Sequence, residues 1–101
     1  MFLQAEVATK IRLETPPDSP FTRLEVTTMD RPGLLVDIVR TVKDCNVNVI
    51  SAEVDTIGAE AKDEFMLTYH GQPLSSSMRT LVRNALRYYL ALAEIETAES
   101  Y

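Results

Sequence analysis

The chain of 101 residues has one cysteine, one histidine and no tryptophan. With Cys45 and His70 each alone, neither an internal disulfide framework nor a Cys/His metal cluster can be built, and a lone thiol suits a reducing compartment. Positive charge is also short. Ten Lys and Arg against fifteen Asp and Glu give a formal charge of −5 and a pI near 4.8. That balance excludes nucleic acid as the main partner and excludes a polybasic membrane patch. No apolar run approaches the roughly 18 residues a membrane span needs. The start, Met1-Phe2-Leu3-Gln4, shows no secretory or transit signal and leads straight into strand-like sequence. What is present, 46% hydrophobic and 25% charged residues, predicts one folded domain large enough for a core without staples.

Two alternating segments come first. Over residues 5–14, Val7, Thr9, Ile11 and Leu13 share a face opposite Glu6, Lys10, Arg12 and Glu14, the pattern of a half-buried strand. Thr15-Pro16-Pro17-Asp18-Ser19-Pro20 is rich in turn formers and fits a hairpin or a linker. Over residues 22–28, Leu24, Val26 and Thr28 oppose Arg23, Glu25 and Thr27.

The second alternation runs into Asp30-Arg31-Pro32-Gly33-Leu34-Leu35. Here the period changes to helical, with Leu35, Ile38, Val39, Val42 and Cys45 on one predicted stripe. Pro32 suits a first-turn position, Asp30 is placed to cap, and Gly33 leaves room for a close-approaching group. Unpaired N–H groups at such a helix start carry the positive end of the macrodipole and suit a carboxylate or phosphate. Asn46 is a candidate left-handed residue at the helix end. Cys45, on the apolar stripe, reads as a buried inert thiol.

Residues 47–56 predict a long strand, with Asn48, Ile50, Ala52 and Val54 on one face and Val47, Val49, Ser51, Glu53 and Asp55 on the other. A hairpin loop around Gly58 leads to a partner strand over residues 63–70, with Phe65, Leu67 and Tyr69 turned to the core and His70 solvated. After Gly71-Gln72-Pro73, a serine among Ser75, Ser76 and Ser77 caps a helix whose apolar side is Met78, Leu81, Val82, Ala85, Leu86 and Tyr89. Arg79, Arg83 and Arg87 form an i, i+4, i+8 row, either a solvated face or a docking patch for an acidic partner. Leu92, Glu94 and Glu96 alternate weakly, as a final strand or an extended end would.

This order predicts an α+β ferredoxin-like plan, with an antiparallel sheet and two helices on one face. Residues 1–20 form an N-terminal edge strand and Pro-rich connection, and residues 21–101 the domain proper. Because residues 5–14 alternate better than residues 92–97, the N-terminal strand is expected to occupy the edge beside residues 22–28. The C-terminal tail is then expected to be short, frayed or docked elsewhere.

Three stretches together carry a family resemblance: Asp30-Arg31-Pro32-Gly33-Leu34-Leu35-Val36-Asp37-Ile38, Asn46-Val47-Asn48-Val49, and Ser51-Ala52-Glu53-Val54-Asp55-Thr56-Ile57-Gly58. From about Phe21 to Tyr89 the chain resembles an ACT domain of the βαββαβ plan. It is similar above all to the second domain of plastid ACT-repeat proteins of plants and algae. Ala5-Glu6-Val7-Ala8-Thr9, Leu86-Arg87-Tyr88-Tyr89-Leu90 and Glu99-Ser100-Tyr101 extend that likeness, which implies a C-terminal fragment of a longer precursor. It resembles the ACT domains of bacterial uridylyltransferases more loosely.

The resemblance implies a non-catalytic regulatory module that binds an amino acid, glutamine or another small one, between two ACT domains of a homodimer or tandem pair. By motif position, Thr28, Asp30, Arg31, Pro32, Gly33, Leu34 and Asn48 are the implied ligand residues. The family's serine-binding members carry His and Asn at the positions of Thr28 and Asp30, so the likeness does not extend to serine. A helix from Gly33 to about Cys45 is ~20 Å long, which puts Asn48 far from Asp30 of the same copy and near it only across an antiparallel pair. A location in the chloroplast stroma and a metabolic enzyme such as glutamine synthetase as partner follow from the same likeness, with no cofactor and no metal. The alternative is a ligand-free structural interaction domain that docks through its sheet edge and the Arg79/Arg83/Arg87 row. A small enzyme for acyl-phosphate hydrolysis would need a Gly-rich anion cradle around Arg31, and none is present.

Overall fold

The computed structural model describes residues 8–99, with only the helical backbone for residues 94–99. Alternation sets the architecture. Thr22, Leu24, Val26 and Thr28 are buried while the residues between them are half-buried, so one face of this strand meets a core and the other meets water. The elements are β1 (Lys10–Glu14), β2 (Thr22–Met29), α1 (Leu34–Asp44), β3 (Asn48–Ile57), β4 (Glu60–Thr68) and α2 (Ser76–Glu99). They form one sheet of order β1-β2-β4-β3, antiparallel throughout. The fold is the ferredoxin-like plan, and Leu24, Val26, Phe65 and Leu67 of its central strands pack with Ile38 and Val42 of α1 and Val82 and Leu86 of α2 in one core.

The N-terminal strand lies where expected. Lys10 pairs with Thr27 and Glu14 with Arg23, and the Thr9 and Thr28 hydroxyls hydrogen-bond at 2.8 Å. Leu13 is buried and Ile11 packs against the core. Residues 5–7 of the expected strand fall outside the described residues.

Four expectations are corrected. The weak alternation near Leu92 is no strand, because α2 runs on to Glu99; Ala91, Leu92, Ala93, Glu94 and Glu96 are strong helix formers, and β1 already covers the edge a last strand would take. Along α1 the buried residues are Leu34, Ile38, Thr41 and Val42, while Leu35 is exposed. On α2, Val82, Leu86 and Leu90 are buried and Leu81 and Tyr89 are half exposed. In both helices the core stripe is rotated from the expected one, since tertiary position decides which of two adjacent apolar residues turns inward. Finally, a bulge between Val49 and Ser51 adds one residue to β3, so Val49 and Ala52, opposite Leu67 and Phe65, face the same way.

Turn geometry follows local chemistry. Asn46 takes φ 61 at the end of α1, and Gly58 takes φ 61 at the two-residue turn between β3 and β4, the left-handed backbone that such a tight hairpin turn favours. The start of α2 is pinned by a buried hydroxyl. Thr22 Oγ1 accepts from the Leu74 N–H at 2.9 Å and bonds the Thr15 hydroxyl at 2.8 Å. Ser75 Oγ accepts from the Met78 N–H, and Arg79 Nη1 donates to the Leu74 carbonyl at 2.8 Å.

Thr22→Val keeps the shape but strands the Leu74 N–H. It should lower unfolding stability in urea by about 1–3 kcal/mol. Thr27→Val, on the half-buried open face, should stay within about 0.5 kcal/mol of the parent.

Candidate functional site

The loop between β2 and α1 is held at both ends. The Asp30 N–H donates to the Ala59 carbonyl at 2.8 Å, and the Leu34 N–H closes a turn onto the Arg31 carbonyl at 3.2 Å. Gly33, at φ 81 and ψ 1, occupies the third position of a type II turn and Pro32 the second. Helix α1 therefore starts at Leu34 with Gly33 as its N-cap and no side-chain cap. That corrects two expectations: Asp30 does not cap, and Pro32 belongs to the turn rather than the first helical turn. Nothing lies within 4 Å of a Cβ built on Gly33, so backbone conformation and not crowding accounts for this glycine.

Of the residues singled out from sequence, Thr28, Asp30, Arg31, Pro32, Gly33 and Leu34 come together at one end of the sheet. Asp30 is exposed, Leu34 is buried in the core, and Thr28 is 3% exposed with its hydroxyl on Thr9. Arg31 folds back, its Nη2 donating to Asp37 Oδ2 at 2.8 Å; the guanidinium neutralises the acid of the first helical turn instead of projecting into solvent. Asn48 is not with them. It opens β3 opposite Thr68, at the far end from the Ile57–Glu60 pair, a separation of roughly 30 Å along the strand. It is exposed, between buried Val47 and half-buried Val49. The arginine row is not a uniform patch either: Arg79 is spent on the Leu74 carbonyl, and of the three only Arg87 is exposed while Arg79 and Arg83 are half-buried.

Two features were not singled out from sequence. Among the described residues the outer edge of β3 is unpaired, and Ile50, Val54 and Ile57 along it are exposed, as are Leu35 and Val36 of α1. The second is Asp63. It lies on β4 among Ala61, Phe65 and Leu67, all buried, and is itself 3% exposed. Among the described residues no donor reaches its Oδ1. Burial, then the negative charge of Asp30, pushes its carboxyl above the usual carboxylate range. A signal was available in the sequence: Asp63 falls in phase with Phe65 and Leu67, the core positions of its strand. Cys45, half-buried at the end of α1, has its thiol pushed up by burial and by Asp44, which keeps it protonated and unreactive.

Among the described residues, no group of three or more His, Cys, Asp or Glu is placed to hold a metal ion, and no helix is long and apolar enough to cross a membrane. The described features are a loop with a turn-positioned helix start and an exposed acid, Asp30, a buried acid, Asp63, further along the sheet, and an edge strand with exposed apolar side chains.

The comparisons with known proteins give the chain its family. The ACT domain model matches residues 22–98, and the chain belongs to the ACT domain family, whose members are regulatory, non-catalytic modules. It is 48% identical over 67 residues to the chloroplastic ACT domain-containing protein DS12 of rice (Oryza sativa subsp. indica), covering 66% of this chain and 24% of that protein. It is 33% identical over 81 residues to the bifunctional uridylyltransferase/uridylyl-removing enzyme of Haemophilus influenzae, covering 79% of this chain and 9% of that enzyme. The corresponding enzyme of Xanthomonas oryzae pv. oryzae is 35% identical over 80 residues, 78% of this chain and 9% of that enzyme. The chain thus spans about a quarter of the rice protein and under a tenth of each enzyme.

Asp63 makes a stability prediction with a definite sign. Its raised folded-state value means that its contribution is fully present below the unfolded Asp value of roughly 4 and is lost as pH rises through the folded value. Asp63→Asn should therefore match the parent near pH 3.5 and exceed it by about 1 kcal/mol at pH 7, read from thermal or urea unfolding at both pH values.

Proposed function

We propose that this chain is a regulatory module that binds an amino acid at an interface between two ACT domains, in a homodimer or with a tandem copy. The observation that carries the reading is the placement of Asp30 and Asn48 at opposite ends of β3, an unpaired edge strand with exposed apolar side chains. An antiparallel second domain added along β3 brings its Asn48 to the Gly58–Ala59 end of the first, where the Asp30 N–H is tied to the Ala59 carbonyl. The same step covers Ile50, Val54 and Ile57 and pairs the free edge.

In that pair, the N–H groups at the start of α1 receive the ligand carboxylate, Asp30 its ammonium, and the second domain's Asn48 amide its side chain. Thr28 supports the floor of this end through Thr9, and Arg31 holds the turn through Asp37. Since each site draws on both domains, the ligand favours the associated state by its differential affinity. The signal passes to a partner by association. A metabolic enzyme is the partner class this suggests, with glutamine synthetase the first to test, and the chloroplastic rice relative supports a plastid location. Ligand-free docking through the arginine row has less support, because Arg79 is already engaged.

Calorimetry and thermal shift against the twenty amino acids test the reading, with glutamine tried first. One of them should bind and raise the melting midpoint, and Asn48→Ala should weaken that binding about tenfold, the size of one lost hydrogen bond. If none of the twenty gives heat or a shift, the reading fails and ligand-free docking takes its place. Pairing Val36→Glu with Ile50→Lys should convert an associated chain to monomers in sedimentation and abolish binding with them.

A further inference from the structure

We propose that Asp63 is a second ligand-recognising carboxylate of this site and that, with Asp30, it holds the α-ammonium of the bound amino acid. This rests on the amino-acid-binding reading and deepens it by assigning a specificity-determining residue outside the β2–α1 loop.

Register fixes the position of Asp63. It sits opposite Val26 on one side and Val54 on the other, and Val26 in turn sits opposite Ile11. Residues directly opposite in an antiparallel ladder share a face, so Asp63 is the one polar member of a row otherwise made of Ile11, Val26 and Val54. A core position of this kind is ordinarily apolar, and an acid there without a donor costs stability. The inward residues of α1, Leu34, Ile38, Thr41 and Val42, bring it no cation. Lys62 and Glu64 on β4, Glu25 on β2, and Glu53 and Asp55 on β3 occupy the alternate register and face the other side of the sheet. Arg31, the cation of the neighbouring loop, is held by Asp37. The charge that acts on Asp63 is the negative one of Asp30.

An exposed carboxylate, Asp30, and a buried one, Asp63, whose Oδ1 has no donor among the described residues, would suit a cation with several N–H groups. An α-ammonium carries such donors, and bonds from it to carboxylates are charge-assisted. The row also opens in the right direction. Val54, the neighbour of Asp63 on the edge strand, is 52% exposed, so the row reaches the surface at β3, on the flank where the second domain adds. Burial raises the carboxyl in the free chain, and a bound ammonium would reverse that shift.

The test uses the full chain and the free amino acids. Whichever of the twenty binds is compared with its N-acetyl derivative, on the parent and on Asp63→Asn, with Asp30→Asn alongside. Asp63→Asn should bind the free amino acid at least tenfold more weakly while its own melting midpoint at pH 7 is unchanged or higher, which separates a lost contact from a lost fold. The N-acetyl derivative should bind the parent at least tenfold more weakly than the free amino acid, and Asp63→Asn should add no further loss with it. Independently of any variant, the Asp63 carboxyl ¹³C titration should move to lower pH when the amino acid is added. Binding unchanged in Asp63→Asn, or an unmoved carboxyl titration, overturns the assignment while leaving amino-acid binding intact. No binding of any amino acid to the parent overturns both.

Discussion

The pairing of β2 with β4 is the constraint on which the rest depends. These are the two strands with neighbours on both sides, and their register runs unbroken from Thr22–Leu67 to Met29–Glu60. It stacks Leu24 on Phe65 in the centre of the core, both fully buried. By placing Met29 beside Glu60 it also delivers Asp30 to the tip of the β3–β4 hairpin, where one backbone hydrogen bond fastens it. The position of the loop is a consequence of sheet register, and only its shape belongs to Pro32 and Gly33. A register slip by one residue would turn Leu24 and Val26 outward and would move the loop off the hairpin as well.

The two edges of the sheet are treated differently. On one side β1 pairs with β2, with Arg23 bridging Glu14 and Glu25 across the open face. On the other side β3 is ten residues long and has no partner among the described residues. It carries some of the devices that discourage edge pairing, a bulge at Ile50 and the acids Glu53 and Asp55. It nonetheless keeps Ile50, Val54 and Ile57 in the open, each more than half exposed. The acids of such an edge disfavour indiscriminate stacking, while its apolar side chains leave surface that a complementary partner would cover.

The sequence was most legible where period and burial coincide. Residues 22–28 alternate, and every inward member is buried, so β2 and its partner face on β4 were readable directly. The left-handed Asn46 and a serine cap within residues 75–77 were readable because each depends on local backbone chemistry, and the Met78 N–H selects Ser75 of the three. Helix faces were less so. In Leu34-Leu35 and Leu81-Val82 two apolar residues stand side by side, and periodicity alone cannot say which one the neighbouring element selects. The bulge at Ile50 escaped for a related reason: Val47 and Val49 continue the alternation of the preceding segment, and only the pairing with β4 shows that the phase changes. At the loop, Pro-Gly fits both a helix start and a type II turn, and the Leu34 N–H on the Arg31 carbonyl decides for the turn.

Asp63 escaped notice in the sequence for a different reason. Its phase matches the core, its chemistry does not, and a pattern-based reading discards the mismatch as noise. Locally consistent sequences specify folds, and places where one residue contradicts its surroundings are where another requirement has intervened. An apolar side chain between Val26 and Val54 would serve the isolated domain better. An acid whose Oδ1 has no donor among the described residues costs the isolated domain stability, and a state that supplied a donor would recover that cost. On the proposed assignment, the donor would arrive with the amino acid held between two domains, and that cost would tie ligand to association. Destabilisation of the unliganded state and preference for a paired, liganded one would then be a single property of that position.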